Sequence, residues 1–414
     1  MLSCVSKLFE QLLVARINQE LQHKRDLSEN QYGFRAGKST VDAIRKVLDI
    51  AEKTQNQSKN RRKMWCVLIT LDVKNAFNSA PWSQIVRELK ERNISPYLID
   101  LIISYFNNRK VICKKITQEM SAGVPQGSVL GPFLWNSTTS SILEIKINGV
   151  TFIGFAVVVL VVTADTQHQL EFLAEKAFFR VTEWMQIHEM KLAMQKTEAV
   201  ILAGPRARGM VMFRIKDHEI KPGKKLKYLG IVIDQQRTFG EHVIYAVGKA
   251  EKAISTLSRL MPNTGGPGSR ARKIILNGLA NSIILYGAPG WLEAMKFAKY
   301  RMMLERTQRK SLLKIASGYR TVSTAALQVV TAEPPLDLLA LERKTLYHKS
   351  KTGRITQEIR TKERQEIIEI WQKRWTENTK GGWTRVILVK ERRGFNGYAT
   401  QDGWRTPHSP PQLT

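Results

Sequence analysis

The stretch FIGFAVVVLVVTAD, residues 152–165, is apolar, rich in β-branched side chains and uncharged before Asp165. This pattern predicts a buried β-strand over 152–162. The uncharged run from Val150 to Ala164 is too short for a membrane-spanning helix, which needs roughly 20 residues. We therefore expect the stretch to lie in the core of a folded domain that does not cross a membrane.

The chain has a large excess of basic residues. Its 414 residues include 65 Lys and Arg against 36 Asp and Glu, which gives a formal net charge of +29, and 43% of them are hydrophobic. The length predicts two or three domains with their own cores. The charge favours a polyanionic partner, most often nucleic acid, because neutralised phosphates release counterions. Ribosome-associated and anionic-membrane-binding proteins are the alternatives at this point.

The cysteines and the N-terminus bear on the cellular compartment. The three cysteines, Cys4, Cys66 and Cys113, are widely spaced and form no C-x-x-C pair. This usage fits a reducing compartment, nuclear or cytoplasmic, and argues against disulfides and a zinc site. In the first 21 residues, apolar side chains recur at helical spacing between charged ones. That spacing predicts an amphipathic core helix rather than a signal peptide.

Strands and helices alternate on both sides of residues 152–165. Upstream, MWCVLITLD at 64–72 is a short β-rich run, and a helix is expected from Trp82. A loop rich in Gly and Pro follows at 123–132. Downstream, a helix is expected over 167–188, and two short strands come after it. This mixture, without a strict βαβ repeat, predicts an α+β fold.

Composition divides the chain into three parts. Residues 1–235 hold the mixed segments, residues 236–350 are mostly helical and basic, and residues 351–414 begin as a highly charged helical stretch. The last part, 397–414, is rich in proline and polar residues and is expected to be disordered.

Six segments occur in an order that is similar to the successive motifs of reverse transcriptases. They are LSENQYGFRAGKST (27–40), LDVKNAF (71–77), GVPQGSVLGP (123–132), GFAVVVLVV (154–162), KLAMQKTEAVIL (191–202) and KYLGIVID (227–234). The chain most resembles non-LTR retrotransposons, particularly the type-1 elements of insects, to about residue 400. This resemblance implies a right-hand polymerase. Partial fingers and a palm with an antiparallel sheet would occupy 1–235, a helical thumb 236–350, and a charged extension with a disordered tail 351–414.

The resemblance implies RNA-directed DNA polymerase activity with an RNA template, a DNA primer and Mg²⁺. Two metal ions would activate the primer hydroxyl and stabilise the leaving oxygen. Mg²⁺ takes oxygen ligands, chiefly carboxylates and substrate phosphates. In the family, one aspartate follows the strand of LITLD and two adjacent ones lie on a neighbouring hairpin. Asp72 matches the first, and Val73 would lend a backbone carbonyl; a simple turn-starting aspartate is the alternative.

Further residues match nucleotide- and template-binding positions of the family. Phe77 matches an aromatic that closes against the sugar 2′ position, and a core aromatic is the alternative. Gln126 matches a residue that contacts the templating pair, and Gly127 would let the backbone approach a ligand closely. Arg35 and Lys38 would contact phosphate or template, or would belong to a solvated basic loop.

Two downstream elements complete the implied site. Lys196 matches a lysine that would meet the leaving pyrophosphate as a cation or an acid, and an exposed lysine ahead of a strand is the alternative. Tyr228, Leu229 and Gly230 resemble the primer-gripping hairpin. Leu229 is expected to be a core residue whatever the function.

The expected aspartate pair is missing. Where the family carries F/Y-A-D-D, residues 155–158 read FAVV, so Val157 and Val158 take the places of the aspartates. Asp165 lies about 26 Å beyond Val157 along an extended strand and is too far away to substitute. Asp72 is then the one metal-binding aspartate left. We predict a polymerase-shaped protein whose catalysis is lost or severely impaired.

The chain resembles only part of a complete element. It begins with MLSCVSKLFE, which is similar to the middle of the family's fingers, and the sequence shows neither an endonuclease domain nor a Cys/His knuckle. We therefore expect a truncated copy. Two other readings of function stay open: a non-catalytic remnant that binds RNA or DNA, and a pseudogene product without function.

Overall fold

A computed structural model of the chain describes residues 4–22, 27–57, 64–113, 116–205, 211–262, 266–379, 381–382 and 384. The chain forms two compact units, Met1–Arg237 and Thr238–Thr414, which we call the N-terminal unit and the C-terminal unit. The tail expected to be disordered, 397–414, lies outside the described residues. Among the described helices, none is both long and apolar enough to cross a membrane.

The N-terminal unit alternates helices and strands. Its helices are α1 (Cys4–Gln22), α2 (Thr40–Gln57), α3 (Ala76–Ser79), α4 (Trp82–Glu91), α5 (Pro96–Phe106), α6 (Leu130–Leu143) and α7 (Gln167–Ile187). Its strands are β1 (Trp65–Leu71), β2 (Lys110–Cys113), β3 (Ile116–Glu119), β4 (Val150–Gly154), β5 (Val158–Ala164), β6 (Glu198–Ala203), β7 (Phe213–Ile215), β8 (His218–Ile220), β9 (Lys225–Tyr228) and β10 (Ile231–Asp234). The helices predicted from Trp82 and over 167–188 are confirmed as α4 and α7.

A four-stranded antiparallel sheet in the order β4–β5–β1–β6 forms the centre of this unit. β1 and β5 pair along their whole length, from Trp65 opposite Ala164 to Leu71 opposite Val158. Both strands are almost entirely buried, because aliphatic and β-branched side chains fill both of their faces. The antiparallel sheet and the helices around it confirm the predicted α+β class.

The strand predicted over 152–162 is a hairpin instead. β4 ends at Gly154, residues 155–157 turn the chain, and β5 begins at Val158. Across this turn, the Phe155 amide donates a hydrogen bond of 3.2 Å to the Val157 carbonyl. The prediction was wrong because the three turn residues include no Gly, Pro, Asn or Asp, the residues that usually mark a turn.

The two faces of the central sheet pack against different helices. The odd-numbered residues of β1 and the even-numbered residues of β5 share one hydrophobic core with side chains of α4, α5, α6 and α7. The other face contacts α2. Leu71 and Val158 belong to the first face. Asp72 and Val157 adjoin this last pair, just beyond the ends of β1 and β5.

Helix α1 is a core helix over only part of its length. Leu13, Ile17 and Leu21 are buried. Four apolar residues in its first half are exposed: Val5, Leu8, Phe9 and Leu12. The prediction of a core helix is therefore confirmed for the second half and wrong for the first. Helical periodicity shows that a helix has an apolar side, but it does not show which neighbours cover that side.

All described elements of the C-terminal unit are helical, as expected beyond residue 236. They are α8 (Gly240–Arg259), α9 (Ser269–Ile284), α10 (Ala288–Trp291), a 3₁₀ helix (Leu292–Lys296), α11 (Ala298–Ile315), α12 (Thr324–Thr331), α13 (Leu336–Thr352) and α14 (Gln357–Glu377). Trp371 and Trp375 of α14 form one hydrophobic core with α12 and α13. Leu276 and Leu312 form another, between α9 and α11. The predicted division between residues 350 and 351 falls inside α13.

A buried histidine makes the C-terminal unit sensitive to acid. His242 is 2% exposed and lies 5.8 Å from Trp291 between ring centroids. Burial lowers the pKa of His242 to about 4. The unfolded chain binds a proton at this residue near pH 6.5, so protonation favours unfolding. We expect the free energy of unfolding to fall by roughly 3 kcal/mol from this histidine as the pH drops from about 6.5 to about 4.

Urea unfolding at pH 7, 5 and 4 measures this effect, with His242→Phe as the non-titrating comparison. The variant should lose less stability on acidification than the native chain. Equal pH dependence of the two proteins between pH 6.5 and 4 would contradict the prediction.

Candidate active site

Asp72 follows directly on β1, and the chain after α7 lies beside it. The Ala193 amide donates a 2.7 Å hydrogen bond to the Asp72 carbonyl, and Val73 forms an isolated antiparallel bridge with Leu192. These contacts bring the 3₁₀ turn Met194–Lys196 next to the Asp72 side chain. The Lys196 Nζ lies 3.2 Å from Asp72 Oδ2. The structure therefore places Lys196 against the remaining aspartate and pairs the two charges.

Backbone hydrogen bonds on both sides of Val73 hold Asp72 next to residues 191–193. The Lys74 amide donates a 2.8 Å hydrogen bond to the Lys191 carbonyl, so residues on both sides of Val73 bond to the segment beside it. Neither this bond nor the one to Asp72 uses the Val73 carbonyl. The Val73 side chain is buried in the hydrophobic core. Val73 is thus a core residue whose carbonyl is not used in the pairing with residues 191–193.

The two valines in place of the aspartate pair are not equivalent. Val157 lies in the hairpin turn and is half-buried. Val158 begins β5, is 7% exposed and belongs to the hydrophobic core below the sheet. The pairing of β1 with β5 ends at Leu71 opposite Val158. Asp72 and Val157 are therefore the first residues beyond the paired ends of β1 and β5.

The side chains present do not fit a pair of divalent cations. In the part of the chain that the structure describes, no group of three or more His, Cys, Asp or Glu residues could hold a metal ion. The Asp72 carboxylate faces an ammonium group, and Val157 offers no ligand oxygen. Asp165 follows the far end of β5, beside the residue that pairs with Trp65. Mg²⁺, which requires oxygen ligands, therefore finds a single protein carboxylate here.

The Gly-Pro loop is anchored by a carboxylate from α1. The Glu10 side chain is fully buried, and its Oε2 accepts hydrogen bonds from the amides of Val129 and Leu130, at 2.6 and 3.2 Å. Its Oε1 accepts a bond of 2.9 Å from the Tyr105 hydroxyl. Burial, together with this bond to Glu10, raises the pKa of Tyr105 to about 12. Glu10 therefore satisfies amides at the start of α6, where free N–H groups need acceptors.

The loop itself leaves its tip open. Gln126 and Gly127 are exposed, and Gly127 has a φ of +85°, which favours glycine. A side chain at Gly127 would meet no atom within 4 Å, whereas one at Gly123 would lie 2.7 Å from the Asn78 carbonyl oxygen. Gly123 is thus required by packing. Gln126 is free to face a bound molecule, as the resemblance implies.

Phe77 lies in a group of aromatic side chains. Its ring centroid is 5.4 Å from Trp135 and 5.9 Å from Phe34, and Phe34 lies 6.3 Å from Phe155. Phe77 also packs against the hydrophobic core while remaining half-exposed. The geometry fits the core role and leaves part of the ring accessible for the sugar-facing role.

Arg35 and Lys38 contact their own segment. The Arg35 guanidinium donates hydrogen bonds to the carbonyls of Leu27 and Ser28, at 3.2 and 2.8 Å. The Lys38 ammonium lies 4.8 Å from the centre of the Tyr32 ring. Arg35 therefore stabilises the loop that contains it, and Lys38 stacks over an aromatic face.

The hairpin that resembles a primer grip is a tight turn. Leu229 and Gly230 connect β9 to β10 with φ values of 47° and 83°, the pattern of a two-residue turn with both residues left-handed. Leu229 is half-exposed, so its expected core position is wrong: the turn directs it away from the interior. Tyr228 is 2% exposed, and burial raises the pKa of its phenol.

Sequence reasoning missed three buried polar residues near the site. They are Glu10, Gln31 and Asn136. Gln31 lies within the quoted motif LSENQYGFRAGKST, where the basic residues drew attention first. Glu10 lies among other polar and charged residues of α1, and Asn136 begins the polar run NSTTSS of α6, so residue type alone did not distinguish either of them.

The antiparallel sheet, the carboxylate at the end of β1 and the hairpin beside it are the palm arrangement of a nucleic-acid polymerase. The model of the family "Reverse transcriptase (RNA-dependent DNA polymerase)" matches residues 1–233. The chain belongs to this family, and the predicted resemblance is confirmed. Reverse transcriptases generally use divalent metal ions, which sharpens the contrast with the side chains found here.

Relatives come from type-1 retrotransposable elements of insects. A Retrovirus-related Pol polyprotein from type-1 retrotransposable element R1 of Bradysia coprophila is 27% identical over 95% of this chain and 40% of its own length. One from Nasonia vitripennis is 28% identical over 68% of this chain and 74% of its own. The chain spans 40% and 38% of the first two relatives. The solved structure of apo telomerase from Candida tropicalis has a TM-score of 0.41 at 10% identity, covering 92% of this chain and 60% of that one.

The ion pair between Asp72 and Lys196 should contribute little to stability. The Lys196 side chain is 72% exposed and that of Asp72 is 29% exposed, so water screens the attraction. A double-mutant cycle with Asp72→Asn and Lys196→Met should give a coupling energy below about 1 kcal/mol in urea unfolding. A coupling energy above about 2 kcal/mol would show that the pair is a structural element of the fold.

The Glu10 carboxylate should contribute much more. Glu10→Ala leaves two amides and one phenol without their acceptor in a buried position, so we expect a loss of about 2 kcal/mol or more in the free energy of unfolding. Glu175→Ala, at an exposed position of α7, is the matched control and should change stability by less than about 0.5 kcal/mol. Similar effects of the two substitutions would contradict the assigned role.

Proposed function

We propose that this chain is the reverse transcriptase domain of a non-LTR, type-1 retrotransposon in a form that has lost metal-dependent DNA synthesis and retains nucleic-acid binding. One observation carries the proposal. Among the described residues, no group of three or more His, Cys, Asp or Glu side chains could hold a metal ion, and the Asp72 carboxylate lies 3.2 Å from the Lys196 ammonium. The chain therefore has the fold of the family without the set of carboxylates that the family's metal chemistry requires.

The chemistry of the family shows why the missing carboxylates matter. RNA-directed DNA synthesis joins a primer hydroxyl to the inner phosphate of a nucleotide, and two metal ions stabilise the attacking and leaving oxygens. We take the ion to be Mg²⁺, which depends on carboxylate oxygens at the protein surface. Asp72 alone does not supply such a set. The residues that the structure describes therefore support no catalytic step through a metal.

Several features still favour an RNA template and a DNA primer as partners. The formal net charge of +29 attracts phosphates over long distances. The exposed loop tip at Gln126 and Gly127 lies in a motif whose family position contacts the templating pair. The accessible part of the Phe77 ring lies in a motif whose family position contacts the nucleotide sugar. None of these features depends on the missing carboxylates.

Primer extension tests the loss of catalysis. The purified chain is incubated with an RNA template, an annealed DNA primer, the four deoxynucleotides and Mg²⁺ or Mn²⁺. Because the metal ligands are missing, we expect extension at least about a thousandfold slower than by an active reverse transcriptase domain of the same family. Robust extension by the unaltered chain would refute the proposal.

Binding of an RNA–DNA duplex tests the retained part. Fluorescence anisotropy at increasing salt should give an affinity that falls steeply, and a log–log slope beyond about −3 corresponds to several neutralised phosphates. The alternative, a product without function, instead gives neither binding nor a cooperative melting transition.

A further inference from the structure

We propose that a pocket inside the C-terminal unit binds one unpaired base of a single-stranded RNA. The pocket has a volume of about 220 Å³, and residues of α11, α12, the start of α13 and α14 line it. We call it the α14 pocket, because Trp371 and Trp375 of that helix form part of its wall. The inference goes beyond the proposed function and rests on it only in taking nucleic acid as the partner.

The size of the α14 pocket limits its ligand to a single ring system. Pockets for drug-sized molecules have volumes of roughly 300–1,000 Å³, so about 220 Å³ leaves room for one flat base but not for a complete nucleotide. Two of the lining residues, Arg301 and Arg374, are exposed and mark the opening of the pocket. The sugar and the phosphate of a bound nucleotide would therefore remain beside these two arginines.

Part of the wall of the α14 pocket is aromatic. Trp371 and Trp375 lie four residues apart on α14 and therefore on one side of the helix. They are 6% and 5% exposed, and the hydrophobic core that α14 forms with α12 and α13 holds them in place. Fixed indole rings favour a flat ligand, because every nucleobase has a face that stacks on an aromatic side chain.

Two carboxamides supply hydrogen-bonding groups to the pocket. Gln308 of α11 and Gln328 of α12 line it and are 5% and 6% exposed. The Gln308 Nε2 group donates a 2.7 Å hydrogen bond to the Pro334 carbonyl, and the Gln328 Nε2 group donates one of 2.8 Å to Gln308 Oε1. These two bonds fix the position of both side chains.

The Gln328 side chain keeps one donor and one acceptor for a ligand. A carboxamide has two N–H donors and an oxygen acceptor, and the bond to Gln308 uses one of the donors. Among the described residues, this side chain makes no other hydrogen bond. Buried polar groups usually have partners, so a ligand that presents a donor next to an acceptor is favoured. The hydrogen-bonding edges of the nucleobases have this pattern.

The charges at the opening suit a phosphate group. Helix α11 carries six basic residues against one acidic residue, Glu305. The Arg374 Nη1 group donates a 2.7 Å hydrogen bond to Asp337 Oδ2, which holds its guanidinium at the start of α13. Arg301 lies at the opening as well. A guanidinium group binds phosphate oxygens with a matching planar geometry, so the backbone of a single-stranded RNA has a place beside the pocket.

A protein side chain is the less suitable occupant of the α14 pocket. An apolar side chain would contact the two tryptophans but would leave the remaining donor and acceptor of Gln328 without partners. It would also make no use of the basic residues of α11. An unpaired base with its phosphate engages the aromatic wall, the carboxamide and the arginines together, so the lining residues favour RNA.

Fluorescence anisotropy with a fluorescein-labelled RNA hexamer tests the proposal on the full chain. The intact hexamer is compared with an abasic hexamer, which lacks the two central bases and keeps every phosphate. Because stacking on an aromatic side chain strengthens binding, we expect the unaltered chain to bind the intact hexamer at least about tenfold more tightly than the abasic one. Equal affinities for the two hexamers would overturn the proposal.

Two variants locate the base in the α14 pocket. Ala325→Phe fills the pocket from its α12 side, and Gln328→Leu removes the carboxamide. In both, the affinity ratio of intact to abasic hexamer should fall below about threefold while the protein still melts cooperatively. Ala298→Phe, at an exposed position of α11 that does not line the pocket, is the matched control and should keep the ratio. An unchanged ratio in a folded Ala325→Phe protein would contradict the assignment.

Competition distinguishes RNA from a protein partner. Adenosine monophosphate should displace the intact hexamer from the unaltered chain, whereas N-acetylphenylalaninamide, which mimics an apolar protein side chain, should not. The opposite result would assign the pocket to a protein partner and overturn the proposal. Binding of a blunt RNA–DNA duplex, which offers no unpaired base, remains a separate measurement. Failure of this inference and failure of the proposed function can therefore be told apart.

Discussion

Strands β1 and β5 pair residue for residue from one end of the sheet to the other, and this register sets the geometry of the N-terminal unit. Opposed side chains of an antiparallel pair share a face, so the register decides which aliphatic residues fill the core. A slip of one residue would reverse this assignment, because it would turn every side chain of one strand to the other face. Hydrophobic burial on both faces of the sheet therefore fixes the position of the candidate site.

Much of this organisation is predictable from the sequence, and the reason is physical. Helices such as α4 bury one side, so Trp82, Ile85, Val86 and Leu89 recur at helical spacing. The position of Asp72 after a buried strand followed from the apolar run before it. The family was recognisable because its motifs lie in loops and strand ends, where geometry and chemistry restrict the residue types.

Other features could not be predicted, because they depend on contacts between distant parts of the chain. The turn at residues 155–157 is imposed by the strand-like segment around Gln31 and not by local turn residues. The expectation that Leu229 lies in the core was wrong because a leucine with left-handed backbone angles is rare in a two-residue turn. None of its neighbours in sequence indicates that conformation. The pairing of Lys196 with Asp72 joins residues that are far apart in sequence and close only through the pairing beside Val73.

The buried pair of Gln31 and Asn136, in which Gln31 donates hydrogen bonds to Asn136 and to the Phe155 carbonyl, has a consequence for how the protein responds to its surroundings. Both side chains are amides and carry no charge between strongly acidic and strongly basic conditions. A chain with a formal net charge of +29 repels itself strongly at low ionic strength, and its ion pairs vary with salt and pH. The hydrogen bonds of these two amides at the β4–β5 hairpin should not vary with salt or pH in this way. The geometry of the hairpin should be as well defined in dilute buffer as in high salt, even where the basic surface around it is not.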